Sequence, residues 1–364
     1  MKYFIALTLL FIPGSVRSQE KSVDAAKTAL DWIGNWWENP AEAVNAGEQS
    51  PDRKQQQRHK ERRKPEEAEM PKMHPWAGGY IDDAIVASKI RVRFDSGFGD
   101  HAPDRAEFFY AKCGCYKFAG FDPRAPGPGP GIVTNLNFQE YTVDVEYAPA
   151  RRLSVFAEIP MRRIHPVSFV PDTGTFGNNT GLGDVRYGFK LGLDASPGRS
   201  ITFQLRTYAP TGDPALGLGT NHATIEPALL YYQRISGRLA ISGQFGDWHP
   251  IGGSTGAAPN LAVLPGKQFS GDVLFYGLGG SYDLIRGDNV RFTPVVEAVG
   301  WNVLGGFVTV TPPSPADGIN IVNLKIGGRL TFGVRNSIYV GYGRQLTHRG
   351  WYHDILRIEY RYAY

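Results

Sequence analysis

The chain closes on Ile355-Leu-Arg-Ile-Glu-Tyr-Arg-Tyr-Ala-Tyr364. In a β-strand successive side chains point to opposite faces. Leu356, Ile358, Tyr360, Tyr362 and Tyr364 therefore share one face, and Arg357, Glu359 and Arg361 share the other. One face is apolar and aromatic, the other charged. A soluble sheet can carry that pattern too. Its weight comes from its recurrence upstream and from the other end of the chain. There Lys2, the apolar run from Phe4 to Ile12, and Val16-Arg-Ser18 before Gln19 read as a signal peptide over residues 1–18. An exported chain with many such strands fits a closed barrel, with lipid outside and a polar lumen inside.

From Ser88 onward the alternation predicts twelve strands. They are expected at Ser88–Phe98, Phe138–Ala148, Arg152–Met161, Gly183–Leu193, Ser200–Ala209, Ala223–Gln233, Arg238–Phe245, Ser270–Tyr282, Val290–Gly300, Asn320–Phe332, Ser337–Gln345 and His353–Tyr364. Each is close to the roughly 9–11 residues that a tilted strand needs to cross a bilayer. Tight connections (149–151, 195–199, 235–237, 285–289, 335–336) alternate strictly with longer ones (99–137, 162–182, 210–222, 246–269, 301–319, 346–352). Short periplasmic turns and long outer loops have that asymmetry in outer-membrane barrels. A soluble β-sandwich also alternates and turns, but it does not predict the loop asymmetry or the terminal aromatic strand. The fold class is therefore all-β, a transmembrane antiparallel up-and-down barrel of about twelve strands, spanning 88–364.

Composition agrees. The 364 residues include 44 Gly, 20 Phe and 18 Tyr but only 4 Met. No apolar run after the signal approaches the roughly 20 residues of a membrane-spanning helix. Residues 19–87 read as a periplasmic tail. Within it Trp32, Ile33, Trp36 and Trp37 fall on one side of a short amphipathic helix. Such a helix suits an interfacial anchor, a plug inside the barrel or a docking element. A polar linker follows from Gly47 to Pro75. Seven basic residues lie between Arg53 and Lys64 against one acid, Glu61, so the net charge of +4 is mainly a linker property. Export separates that stretch from nucleic acid, leaving solvent, anionic lipid or cell wall as its surroundings.

Two motifs carry a specific resemblance. Gly181-Leu-Gly-Asp184 opens the fourth strand; Tyr208-Ala-Pro-Thr-Gly-Asp213 closes the fifth, followed by Leu216-Gly-Leu-Gly219. Segments of this kind at this separation resemble the outer-membrane family named for the meta-pathway of phenol degradation, over roughly residues 179–245. The resemblance implies a β-barrel of transporter type. Locally, the same Gly, Pro and Asp residues suit strand-end turns, an architectural role.

If the apolar faces meet lipid, the opposite faces line the lumen. The bases expected there are Arg91, Arg93, Arg186, Lys190, Arg206, Arg238, Arg291, Lys325, Arg329, Arg357 and Arg361. The acids are Asp95, Glu140, Asp144, Glu146, Glu158, Asp184, Glu226, Glu297 and Glu359. In a twelve-stranded barrel, intermediate between side-chain-filled and open ones, these charges either pair and close the bore or line a polar path. Cys113 and Cys115 stand in the first long loop, where a local disulfide is favoured over free thiols. Metal ligation is poorly supported by two Cys without a neighbouring His, and neither a metal nor a cofactor is expected. His249, His348, His353 and Asp354 could serve a rim hydrolase, but no GxSxG or HExxH motif accompanies them. The expected function is a non-enzymatic channel for passive movement of small molecules, hydrophobic or aromatic ones among them. The alternatives are a closed tethering barrel and, more weakly, a lipid-modifying enzyme. Expected partners are outer-membrane lipid, a small solute, and the barrel-insertion machinery reading the strand that ends at Tyr364; oligomeric state is left open.

Overall fold

The computed structural model describes residues 78–103, 109–112, 114, 126–252, 270–308 and 314–364. The expected signal peptide, the Trp-rich segment, the basic linker and Cys113 and Cys115 lie outside the described residues. Twelve long strands form the wall: β1 Lys89–Asp100, β2 Val133–Ala150, β3 Leu153–Phe169, β4 Val185–Ser196, β5 Arg199–Ala209, β6 Ala223–Arg234, β7 Leu239–Ile251, β8 Val273–Tyr282, β9 Val290–Val303, β10 Asn320–Phe332, β11 Asn336–Gln345 and β12 Asp354–Ala363. Each pairs antiparallel with its neighbours in sequence. The ring closes where β1 meets β12, from Lys89 opposite Ala363 to Phe98 opposite Asp354. Closure leaves no wall strand with an unpaired edge, which the hydrocarbon interior of a bilayer demands.

The alternation read from the sequence sorts the two faces. Tyr141, Val143, Val145 and Tyr147 on β2 are exposed, as are Leu356, Ile358 and Tyr360 on β12. Their neighbours Glu140, Asp144, Glu146, Arg357, Glu359 and Arg361 are buried. Apolar out and charged in is the reverse of a soluble domain. A continuous apolar belt of this extent needs lipid against it.

Two strands are longer than the sequence suggested. β2 has 18 residues and β3 has 17, and their ladder runs out to Val133 opposite Phe169. Both exceed the 9–11 residues that a bilayer requires, so this hairpin extends past the membrane. Its outer-facing residues there, such as Asn137, Arg163 and His165, are polar, and the apolar alternation that marks the boundary stops at Met161. The short ladder Asn179–Leu182 also pairs with β3, and a break at Gly183 and Asp184 separates it from β4. Arg238, expected in the lumen, is instead exposed in the turn before β7. That turn is one residue longer than expected, so Arg238, although at the inward parity of the buried Ala240 and Ser242, lies beyond the end of the strand.

The exposed belt yields a prediction. Val143 stands in the middle of it, between Tyr141 and Tyr147 and opposite Val92 and Ile159. Val143→Arg should destabilise the barrel in lipid by about 2–4 kcal/mol, the cost of an arginine near the bilayer midplane. Val143→Leu should be close to neutral. Reversible urea unfolding from phospholipid vesicles reads both.

Candidate functional site

The strands aim their charges at one another across a confined space. Three tiers of ion pairs cross the bore. Nearest the short turns, Lys89 lies 3.1 Å from Glu146 and 3.2 Å from Asp83, and Lys190 lies 3.0 Å from Glu146. At mid-height Arg91 and Arg206 both reach Glu158, at 3.3 and 3.2 Å. Across the same tier Glu359 is held by Arg361 at 2.6 Å and Arg329 at 2.8 Å. Nearer the long loops Glu140 binds Arg162 and Arg186, and Arg357 binds Asp95 at 2.7 Å. Charges this deep persist only when paired and hydrogen-bonded.

Of the sequence-derived lumen residues, Arg91, Glu140, Asp144, Glu146, Glu158, Arg186, Lys190, Arg206, Glu226, Arg291, Glu297, Lys325, Arg329, Arg357, Glu359 and Arg361 are buried inside the wall, with Asp95. The Arg93 side chain is only 11% exposed and lies 3.0 Å from Asp95. Asp184 is also buried, but it serves a turn. It accepts hydrogen bonds from the backbone amides of Gly212 and Thr220 at 3.0 and 2.9 Å, and from the Thr220 hydroxyl. The GLGD and PTGD motifs are thus joined to each other by one carboxylate, in line with their architectural reading. Arg162, absent from the sequence-derived set, is fully buried. It stands one residue past the boundary assigned to its strand.

The larger surprise is Gly78 to Ser88, all of which but Ser88 reads from sequence as the end of the tail. This stretch lies inside the barrel, as a plug. Glu297 on β9 accepts the backbone amides of Gly79 at 2.8 Å, Tyr80 at 2.6 Å and Ile81 at 3.3 Å. Arg329 and Arg357 donate to the carbonyls of Gly78 and Gly79 at 2.9 and 3.0 Å. Lys190 and Thr202 donate to those of Asp83 and Ala84. Asp82 and Asp83 add carboxylates to the wall's surplus of cations, reaching Arg206 at 2.8 Å and Lys89 at 3.2 Å. The Tyr80 ring sits between Lys325 and Arg357, 3.8 and 4.0 Å from its centroid, an arrangement that favours both cations.

The wall is shaped for this segment. Any side chain at Gly79 would meet the buried Tyr339 ring at 2.3 Å. Gly78 has φ +67°, which L-residues rarely adopt. On the other side Gly277 and Gly279 of β8 leave room for Ile81, whose atoms would stand 3.2 Å from a Cβ at either position. With the plug seated, the void among the mid-height ion pairs is only about 10 Å³, at the lower limit for a single water.

Space opens above and below. At the short-turn end a basin of about 800 Å³ is bounded by Ile85 and Val86 of the plug, with Arg151, Arg199, Arg234 and Arg286 around it. At the long-loop end Trp248, Trp301 and Trp351 pack together over Phe275: the Trp248 and Trp351 rings stack at 5.6 Å, and Trp301 lies 5.2 Å from Trp351. A second cavity, of about 250 Å³, lies against Trp351. The rim histidines make local contacts. His353 Nδ1 donates to Asp354, and His249 Nδ1 to Asp272 at 2.8 Å. Among the described residues neither ring bonds a serine.

Unequal worth of the ion pairs gives a prediction. Glu359→Gln leaves Arg329 and Arg361 buried without their counter-ion and should cost about 3–5 kcal/mol. Asp194→Asn removes the partner of the half-exposed Arg199 at a turn and should leave the unfolding midpoint nearly unchanged. Urea unfolding in vesicles compares the two.

A model of the family described as "Putative MetA-pathway of phenol degradation" matches residues 132–285, a stretch that includes both motifs. Among solved structures the chain is similar to an outer membrane channel from Pseudomonas putida F1. Identity is 14% and the TM-score 0.52, over 79% of this chain and 100% of that one. It is also similar to the β domain of the Bordetella autotransporter BrkA, with 13% identity, TM-score 0.42, and 76% and 100% covered. A third similar structure is the Pseudomonas putida toluene transporter TodX, with 9% identity, TM-score 0.37, and 76% and 88% covered. No curated protein matches the sequence. The fold is therefore a closed twelve-stranded barrel of the outer-membrane type, and residues 132–285, about two-fifths of the chain, match the family that the motifs resemble.

Proposed function

We propose that this barrel is a passive outer-membrane channel for small solutes, closed in the described state by its own residues 78–88. The observation that supports this reading is the plug. It fills a bore that the wall's side chains leave open, and apart from the run of chain into β1 it is held to the wall by hydrogen bonds and ion pairs. Behind it the charged faces of β1–β6 and β10–β12 oppose the small residues Ser242, Gly277 and Gly279 of β7 and β8. Withdrawal of the plug would join the 800 Å³ basin to the space beneath the tryptophans. Movement through such a path needs no chemical step, so the reading is non-enzymatic. The even strand number puts Lys89 and Ala363 at the same, short-turn end, which we place in the periplasm by the usual asymmetry of turns and loops.

The closed-barrel alternative has its own support, because the mid-height cations and acids pair directly with each other as well as with the plug. Single-channel recording in planar bilayers separates the two. The intact protein should conduct weakly. A chain lacking residues 19–86, and Gly79→Leu, which cannot seat against Tyr339, should each raise conductance several-fold. A folded, plug-free barrel that conducts no ions would leave the tethering role as the better reading.

A further inference from the structure

The bore is closed a second time at its outer end. Phe109, Leu218, Trp351 and Tyr352 come from three of the long loops, and all four are buried. The Tyr352 ring packs on Phe138 at 6.2 Å, and Phe138 on Phe109 at 5.3 Å. Arg162 lies 5.0 Å from the centre of the Phe109 ring and donates to the Leu218 carbonyl at 3.2 Å. Together with the packed Trp248, Trp301 and Trp351, these residues make a cap at the long-loop end. The void among Tyr110, His222 and Trp248 is about 20 Å³, room for one water.

Lys325 stands between the two closures. Its ammonium lies 3.8 Å from the centre of the Tyr80 ring on the plug side, and it donates to the Tyr352 hydroxyl at 2.6 Å on the cap side. Along the wall it faces Gly343 of β11 on one ladder and Glu297 of β9 on the other. A Cβ at Gly343 would come within 3.1 Å of Lys325 Cγ, so the lysine stem lies over the glycine. Glu297 is the alternative partner, within reach across the ladder, but it is occupied by the amides of Gly79, Tyr80 and Ile81. The side chain thus has two places to go, and the plug decides between them. A buried ammonium keeps polar partners wherever it can. With the plug seated, the lysine takes Tyr80 and Tyr352. With the plug gone, the released carboxylate is the stronger partner.

We propose that Lys325 couples the plug to the cap: withdrawal of residues 78–88 draws the lysine to Glu297, takes its hydrogen bond away from Tyr352 and loosens the outer closure as well. The inference rests on the channel reading and supplies what that reading needs, since a plug that left behind an intact cap would open only one end. A hydrogen bond from a charged donor shifts an equilibrium by roughly tenfold or more, enough to move the cap from mostly closed to mostly open when the closed form is favoured by a similar factor.

The tryptophans report the cap. Trp32, Trp36, Trp37 and Trp76 precede the plug in sequence, and the other three, Trp248, Trp301 and Trp351, belong to the cap. The intact protein with the first four replaced by Phe, and the chain lacking residues 19–86, therefore fluoresce from the cap alone. Acrylamide quenching in detergent reads the exposure of the cap, and planar-bilayer conductance reads the open path. Removing the plug should make the tryptophans readily quenched and raise conductance several-fold. Adding Glu297→Gln to the plug-free chain leaves Lys325 on Tyr352 and should return both readings most of the way to those of the intact protein. Acrylamide that reached the rings through an emptied bore would be indifferent to that variant. In the intact protein Tyr352→Phe removes a single hydroxyl and should raise quenching while conductance stays low, because the plug is still seated. Tryptophans equally protected with and without the plug overturn the proposal, as does quenching of the plug-free chain that Glu297→Gln leaves unchanged. Quenching that follows the plug in a barrel that never conducts supports the coupling and rejects the channel. Conduction by a plug-free barrel whose tryptophans stay protected rejects the coupling and keeps the channel.

Discussion

Charge buried inside a lipid-facing wall must be neutralised within that wall, and the arrangement of the bore follows from this. An unpaired ion taken from water to a low-dielectric site costs several kcal/mol even after relaxation. The barrel turns at least six arginines and two lysines inward within a few residues of mid-height. Cross-strand neighbours meet part of the need. Arg91 stands opposite Asp144 on β2, Arg206 opposite Glu226 on β6, and Glu158 opposite Arg186 on β4. Pairing across the ladder is local and set by register, so it forms as the strands zip together. It also makes a one-residue slip costly, because every charge would move to the lipid face.

The wall is not uniform, and the plug answers its asymmetry. Strands β1–β6 and β10–β12 carry the long charged side chains, whereas the inner faces of β7 and β8 offer Ser242, Gly277 and Gly279. Long side chains on one side and nearly none on the other leave a gap along β7 and β8. A twelve-stranded ring is wider than the eight-stranded barrels that side chains can fill. Residues 78–88 occupy the gap with backbone, which brings its own amides and carbonyls into a site with about 10 Å³ of void among its ion pairs. Those groups are matched by Glu297, Arg329, Arg357, Lys190 and Thr202. Asp82 and Asp83 bring negative charge where the wall has an excess of positive.

Strand number, order and faces were legible because β-structure writes them with a period of two and lipid makes the contrast large. β12 shows this most plainly, with Leu356, Ile358 and Tyr360 against Arg357, Glu359 and Arg361. The inward charges were legible for the same reason. Two things were not. The outer reach of β2 and β3 lost its apolar marker once the hairpin left the bilayer, so Arg162 went unnoticed. The plug has no period at all. Gly-Gly-Tyr-Ile-Asp-Asp gains its conformation from Glu297, Tyr339 and Gly277, each about 200 or more residues away, and no local pattern encodes that. The available signal was the adjacent pair Gly78 and Gly79, which could have marked a close backbone approach. The Asp184 turn was half-legible: its motif was visible, but its contact with Thr220 depends on how two loops fold together.

Removing the plug disturbs the wall's charges unequally, and this bears on how it could leave. Arg91 and Glu359 keep partners on the wall when residues 78–88 depart. Glu297 does not, since the hydrogen bonds it accepts come from plug amides. Yet Glu297 faces Lys325 directly across the β9–β10 ladder. That lysine is engaged with the Tyr80 ring and with the Tyr352 hydroxyl at 2.6 Å. Departure of Tyr80 frees one side of Lys325 at the moment when Glu297 loses its amides. Opposed side chains on adjacent strands stand about 4.5–5.5 Å apart at Cβ, within reach of an ion pair. The wall thus holds a replacement partner beside a carboxylate whose hydrogen bonds come from the plug. Withdrawal then exchanges a set of hydrogen bonds for an ion pair and water and leaves no naked charge behind, which a reversible closure requires and a permanent one does not.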